Sequence, residues 1–401
     1  MAGKRKFLGW HKNIFIAGLV SFFMDISSEM IYPLVPLFLA GVLGVNKSII
    51  GLIEGIAEST ASLLKVFSGY ISDKIGTRKW LMAAGYGISA ASRPIVAVSA
   101  SWHQVLGFRF IDRFGKGVRT APRDALIAES TEKEFLGRAF SFHRSMDTLG
   151  AVIGPALAFF FLGIFSNDYR KVFWLSALPA IIAVLLIIFF ITEGKKPRHL
   201  AEKPRLSFQH FDWRFKFFVI IAAVFALGNS SDVFLILRAQ QIGISTALIP
   251  LVYLFFNLIY SLSAVPAGMI ADKFGKKRVA LSGFMLFSLL YYGFAIADNA
   301  KTIWFLFALY GLFMGLTEGV QKAYLATIIP GDFKSTAFGI YNALTGVAML
   351  PASLIGGWLW DNISPSATFY YGSMTGILAS VLFGLFIIIG RKKPVNSIIL
   401  T

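Results

Sequence analysis

Apolar stretches as long as a bilayer's hydrocarbon is thick recur along this whole chain. WLSALPAIIAVLLIIFFIT (174–192) and GSMTGILASVLFGLFIIIG (372–390) are two of them. A helix crosses that hydrocarbon in about 20 residues, and a spanning segment must satisfy its own backbone hydrogen bonds. The expected fold class is therefore an all-α membrane protein. Twelve transmembrane helices are predicted, at about 13–43, 48–71, 80–99, 102–125, 137–164, 171–192, 214–237, 246–270, 279–298, 302–326, 335–360 and 366–390. The first of these is too long for the h-region of a signal peptide and is read as a mature helix.

A net charge of +17 on 401 residues would suggest nucleic acid in a soluble protein. Here the cations follow the loops instead. Lys4, Arg5, Lys6, Lys12, the 72–79 loop, the 193–213 segment, the 271–278 loop and Arg391, Lys392 and Lys393 fall on one side. The opposite loops hold only Lys47, Arg170, Lys171, Lys301 and Arg238. Positive charge marks the cytoplasmic side, so a multi-pass protein of the cell (inner) membrane is expected, with both termini cytoplasmic and no nucleic-acid partner. The chain has no cysteine, which excludes disulfides and thiolate chemistry.

The segment EGKKPRHLAEKPRLSFQH (193–210) is the only long hydrophilic stretch. It divides the chain into an N-terminal six-helix bundle (1–192), a linker (193–213) and a C-terminal six-helix bundle (214–401). The halves echo each other. GYISDKIGTRK (69–79) returns as GMIADKFGKKR (268–278), 199 residues on, and ISSEMI (26–31) as NSSDVF (229–234), 203 residues on. Two echoes at nearly one offset indicate an internal duplication. Such repeats are one way of building a transporter with its site between the halves.

The duplicated G-x-[LI]-[AS]-D-[KR]-x-G loop resembles the signature of the major facilitator superfamily. In span four, Arg109 followed by Gly115 and Gly117 resembles that superfamily's second motif, with Arg113 where a glycine is usual. In span five, GAVIGP (Gly150, Gly154, Pro155) resembles the motif of its antiporters; the alternative is a small-residue packing face with a proline bend. The resemblance covers essentially the whole chain. It implies two pseudo-symmetric six-helix bundles, with spans one, four, seven and ten around a central cavity. It also implies a conformational latch at Gly69, Asp73, Gly76 and Arg78, and again at Gly268, Asp272, Gly275 and Arg278. The carboxylate would meet a helix N-terminus of the other half; a simple loop brace is the alternative.

Ionisable groups inside the hydrocarbon are costly and usually face a cavity or each other. Span one carries Asp25 and Glu29, four residues apart and so on one face. Span two carries Glu54, Glu58 and Lys65; span five carries His143, Arg144 and Asp147. Span seven has Asp232, and span ten has Glu318 and Lys322, placed for an i,i+4 ion pair. Span four is the densest: RFIDRFGKGVRTAPRDALIA (109–128) holds five cations and two acids up to Asp124. Arg109, Arg113, Lys116 and Arg123 fall within one stripe of a helix. Arg93, before Pro94, is expected to snorkel to the interface. Tyr253 and Tyr260 are candidate cavity contacts.

These groups predict a proton-coupled secondary transporter, an antiporter exporting a small organic solute of anionic or zwitterionic character. Asp25 and Glu29 are the preferred proton-coupling sites, with Glu54, Glu58 and Asp147 behind them. Arg109, Arg113, Lys116, Asp232, Glu318 and Lys322 are the candidate substrate-binding residues; the alternative for the span-four cations is that they neutralise acids and hold helices in register. A proton symporter importing an anionic nutrient or siderophore-type solute is the alternative function, and a channel or sensor a remoter one. No HExxH, GxSxG or P-loop occurs, so neither an enzyme nor an ATP-driven pump is expected, and no metal or cofactor. The expected partners are the small-molecule substrate, protons and the lipid bilayer, around a monomer.

Overall fold

A computed structural model describes residues 6–7, 10–75, 77–132, 135–192, 211–329 and 334–392. Gly76, the side chains at Gly69 and Asp73, and the 193–210 part of the linker lie outside the described residues. After a two-strand hairpin, β1 (Lys6–Phe7) with β2 (Trp10–His11), everything regular is helical.

Span one is two helices, α1 (Lys12–Ile31) and α2 (Val35–Gly41). Pro33 causes the break, because it lacks an N–H and disfavours helical conformation at the residue before it, while Pro36 falls in the first turn of α2, where a missing N–H is tolerated. Five uninterrupted helices follow: α3 (Lys47–Ile75), α4 (Lys79–Val98), α5 (Trp102–Glu129), α6 (Leu136–Ile164) and α7 (Tyr169–Phe190). The second half repeats the plan. Its first span breaks between α8 (Trp213–Gly228) and α9 (Val233–Gln241), where Asn229, Ser230 and Ser231 can bond to local backbone instead of continuing a helix. A 3₁₀ turn (Thr246–Leu248) then leads into α10 (Ile249–Phe274), α11 (Lys276–Ile296), α12 (Ala300–Thr327), α13 (Lys334–Asn362) and α14 (Pro365–Lys392). By length and hydropathy, ten of these twelve crossings qualify as membrane spans among the described residues. The exceptions are α3 and α5, which carry the acids and cations singled out above.

Packing repeats as well. In the first half α1 lies on α6 and α7, α4 on α5 and α7, and α3 on α5. In the second half α8 lies on α13 and α14, α11 on α12 and α14, and α10 on α12. Each of these pairs in one half thus has its counterpart in the other, as a duplicated chain requires. The halves meet along α3 with α13 and along α6 with α10.

The α3–α13 seam is close because glycines line it from both sides. A Cβ on Gly51 would strike the Ser353 carbonyl, one on Gly55 would come within 2.9 Å of the Leu350 backbone, and one on Gly346 would strike Ser62. Ser59 Oγ donates to the Gly346 carbonyl at 2.8 Å. The outer faces of α7, α11 and α14 expose Phe189, Leu289 and Met374, side chains that suit lipid tails. Inside, the halves differ. The second half is filled by a continuous aromatic stack including Phe287 and Tyr291, with ring centroids 4.0 Å apart. The first half adds to its apolar core a set of buried ions.

Candidate functional site

The ionic interior of the first half has a fixed part and a part that faces a cavity. In the fixed part, Glu54 and Glu58 stand one turn apart on α3, and Arg109 and Arg113 one turn apart on α5. They meet as two rungs: Arg109 with Glu54, and Arg113 with Glu58 at 3.0 Å. Arg109 and Glu54 are both almost wholly buried. Arg93, 1% exposed, does not reach the interface. It donates to Asp112 on α5 at 3.1 Å and to Ser28 on α1 at 2.9 Å. The expected snorkelling gives way because Asp112 offers a buried counter-ion two-thirds of the way along the same helix pair. Arg119 donates to Ser89 Oγ on α4 and lies over the Tyr86 ring at 4.5 Å. Each bond joins different helices, so together they tie α1, α3, α4 and α5.

The cavity, about 500 Å³, opens between the halves toward the end of the bundle that holds both termini. Of the predicted residues it takes in Asp25, Glu29 and Asp147, then Lys116, Glu318 and Lys322. Glu54, Glu58, Arg109 and Arg113 stand outside its lining, bound to one another. Asp232 is also outside. It sits at the α8–α9 break, well past the middle of the span, and accepts from the Tyr310 hydroxyl at 2.7 Å. Span seven contributes nothing to this cavity's wall, unlike the arrangement the resemblance implied.

Asp25 and Glu29 have no cation within 4.0 Å among the described residues, and Glu29 Oε2 is buried without a hydrogen-bond partner. Asp147 Oδ1 is likewise unpartnered, while its Oδ2 lies 3.5 Å from His143 Nδ1. His143 Nε2 in turn bonds Ser21 Oγ at 2.7 Å. The glycines of GAVIGP explain how α6 comes so near. A Cβ on Gly150 would lie 2.9 Å from Asp25 Cβ, and one on Gly154 would lie 2.8 Å from Glu29 Cβ. The small-residue face is a packing face, and what it packs against is the two carboxylates' own stretch of α1.

The cavity also holds residues that the sequence reading did not count among the candidate site residues. Arg144 of α6 bridges the halves: it donates to Tyr260 Oη at 2.6 Å and lies 3.7 Å from Glu318, which also accepts from Tyr260. Lys322 completes that cluster at 3.1 Å from Glu318, the i,i+4 pair expected from spacing. Lys65, Arg119, Arg123 and Tyr86 line the same space. Of these, Arg123 stands on the span-four stripe that its spacing predicts, while Tyr86 carried no charge to mark it.

The second latch loop turns through Gly275, whose φ of 96° suits glycine. Asp272 is 3.7 Å from Lys276 just past the turn, Gly268 has open space beside it, and Arg278 N donates to the Gly275 carbonyl at 3.0 Å. In the first latch loop Arg78 donates to Ser72 Oγ and, at 3.2 Å, to Glu129, bracing α3 against the end of α5.

At the far end the halves close over the cavity. Tyr32 and Tyr253 pack with centroids 5.2 Å apart. Asp361, at the end of α13, accepts from Lys47 N at 3.1 Å and from Ser48 N and Ser48 Oγ at 2.7 Å each. A carboxylate of one half therefore caps a helix of the other.

Comparison with known proteins agrees with this architecture. The model of the Major Facilitator Superfamily matches residues 17–234 and 217–399. An uncharacterized MFS-type transporter of Methanocaldococcus jannaschii is 36% identical over 377 residues, which is 92% of this chain and 94% of that one. A proton-coupled antiporter flippase of Staphylococcus saprophyticus is 21% identical over 96% of this chain and 97% of its own. Among solved structures, a POT family transporter in complex with 5-aminolevulinic acid superposes with a TM-score of 0.81, at 12% identity, over 97% of this chain and 98% of that one.

Proposed function

The chain belongs to the major facilitator superfamily, and on that premise we propose that it is a proton-coupled antiporter that exports a small charged organic solute by alternating access. That it is a membrane transporter and not an enzyme follows from its relatives and structural neighbours. The coupling and the direction are our reading. One observation carries it: two carboxylates, Asp25 and Glu29, face the cavity between the halves with no cation in contact. Two such groups share a proton at less cost than they bear two charges in a poorly solvated space. A solute with a cationic group would compete with that proton for the same oxygens, and competition is what exchange requires. The antiporter named among the relatives supports the reading. So does the polar lining, which offers little to a greasy solute. The basic loops orient the termini, and so the cavity mouth, to the cytoplasm of a cell membrane.

A second reading has its own observation. Lys116 lies within electrostatic reach of both Asp25 and Glu29. A purely anionic solute would take that ammonium while the carboxylates took a proton, and both would cross together as in symport. Energised vesicles separate the two. Substrate added outside to vesicles with an acid lumen raises lumenal pH under exchange and lowers it further under symport. Asp25→Asn and Glu29→Gln should each weaken gradient-driven flux; if both retain it in full, the proton site is elsewhere, with Asp147 next.

A further inference from the structure

The cavity wall carries three lysines, two of them with no carboxylate in contact among the described residues. Lys65 comes from α3, Lys116 from α5 and Lys322 from α12, so both halves contribute. Lys65 is in electrostatic contact with both of the others. Neither Lys65 nor Lys116 has a carboxylate within 4.0 Å among the described residues. The acids that could serve are already engaged: Glu58 with Arg113, Asp124 with Arg123, and Glu318 with Arg144, Tyr260 and Lys322. Ammonium groups held near one another in a poorly solvated space repel, and the protein relieves this only in part: Lys322 is paired with Glu318, while Asp25, Glu29 and Glu58 act on Lys116 or Lys65 from beyond contact distance. An oxyanion placed among them would relieve it further.

We propose that Lys65, Lys116 and Lys322 form one seat for a phosphoryl or carboxylate group of the transported solute. The proposal rests on the transporter reading above and deepens it. A seat built from α3, α5 and α12 closes only when the halves stand as they do here, so occupancy of the seat and the access state are linked. It also sets the other end of the solute. Lys116 faces Asp25 and Glu29 as well as the seat, so an anion that takes Lys116 leaves those carboxylates without their nearest ammonium. Under exchange, an amino group on the solute must fill that role when the proton has left. The seat together with antiport therefore selects a zwitterion.

Citrate and inorganic phosphate serve as probes, added to purified protein in lipid nanodiscs and compared with chloride at matched ionic strength. Affinity is read by calorimetry and by the shift in Tm that binding produces by mass action. Citrate should raise Tm over chloride. Lys65→Gln and Lys116→Gln should each weaken citrate binding tenfold or more, and Lys322→Gln less, because Glu318 is freed with it. Lys65→Arg should hold citrate near wild-type affinity. A Lys276→Gln/Lys277→Gln variant, altered in the surface loop at the start of α11, should bind as wild type. The seat is refuted if citrate and phosphate bind no better than chloride, or if folded Lys65→Gln binds citrate normally. Should Lys116→Gln fail to fold, Lys65→Gln alone decides. Proton flux in Asp25→Asn and Glu29→Gln is measured separately. Intact citrate binding in Lys65→Gln beside lost flux in the carboxylate variants overturns the seat alone; the converse overturns the proton site alone.

Discussion

Removing the Asp361 carboxylate should move the protein out of the access state described here. The carboxylate spans the halves at the end away from the termini, accepting from the first two N–H groups of α3 and from Ser48 Oγ. Those N–H groups have no partner within their own helix. Replacing a capping side chain by alanine costs about 0.5–2 kcal/mol, and a charge at a helix N-terminus contributes roughly 0.3–1 kcal/mol. Asp361 is exposed, so water competes for the same donors. The lower part of the range applies: about 1 kcal/mol, which is a roughly fivefold change in the ratio of the two access states. The bonds exist only when this end is closed, so the whole of that term bears on the equilibrium. Asp361→Ala should open the end. Asp361→Asn, which keeps a good capping oxygen and loses the charge, should shift it less. The chain has no cysteine, so spin labels at Val42→Cys and Ile363→Cys, both exposed at this end, report one distance without a background. A longer-distance population should grow about fivefold in Asp361→Ala. An unchanged distance distribution in that variant would refute the reasoning, because a contact that contributes to closure cannot be removed without moving the balance.

Three further outcomes are expected. Gly154→Ala places a methyl 2.8 Å from both Glu29 Cβ and the Ile26 carbonyl; overpacking of that kind costs about 1–3 kcal/mol, read as a fall in Tm that Gly163→Ala, facing open space, does not produce. Arg93→Met leaves Asp112 buried without its partner and should destabilise by about 3–5 kcal/mol; Arg93→Met/Asp112→Leu should recover a substantial part, as measured by chemical or thermal unfolding. Arg109→Lys keeps the charge but loses the planar guanidinium that meets Glu54 and lies over the Tyr32 ring, so it should lower Tm and leave solute affinity unchanged per folded molecule, whereas Lys116→Gln should lower affinity with little change in Tm.

The crossings were legible because a membrane span announces itself by length and apolarity. The two least apolar, α3 and α5, were legible by a different route, the helical period of their charges. Arg109, Arg113 and Lys116 stand on one stripe as the period predicts. The stripe does not tell which member is held and which is free. Glu54 and Glu58 are 55 residues from their arginines, and only the approach of α3 to α5 decides that two rungs form and Lys116 is left over. Arg93 shows the same limit. Its sequence neighbours point to an interface, while its partner Asp112 lies on the next helix. The i,i+4 pair Glu318–Lys322 was foreseen, and Arg144, which joins it from the other half, was not. Within a helix spacing carries the information; between helices it does not. The breaks in spans one and seven were read through as continuous for a related reason: an apolar run shows that a segment crosses, and the turn inside it is set by Pro33 and by the serines at 230 and 231.

The two lines along which the halves meet differ: α3 and α13 pack glycine against backbone, while α6 and α10 are joined by side chains, Arg144 to Tyr260 and Asn257 to the Ala151 carbonyl. Glycine against backbone leaves no room for an acyl chain between α3 and α13. In the access state described here the halves do not part along that line; the other state opens it at the Asp361 end. A passage between the cavity and the lipid is therefore less obstructed between α6 and α10, where side chains alone join the halves and where Ala151, Asn257 and Ser261 line the cavity. A solute with a tail could keep its charged head among the lysines while the tail lay out between those two helices in the bilayer. A solute without one would use only the mouth.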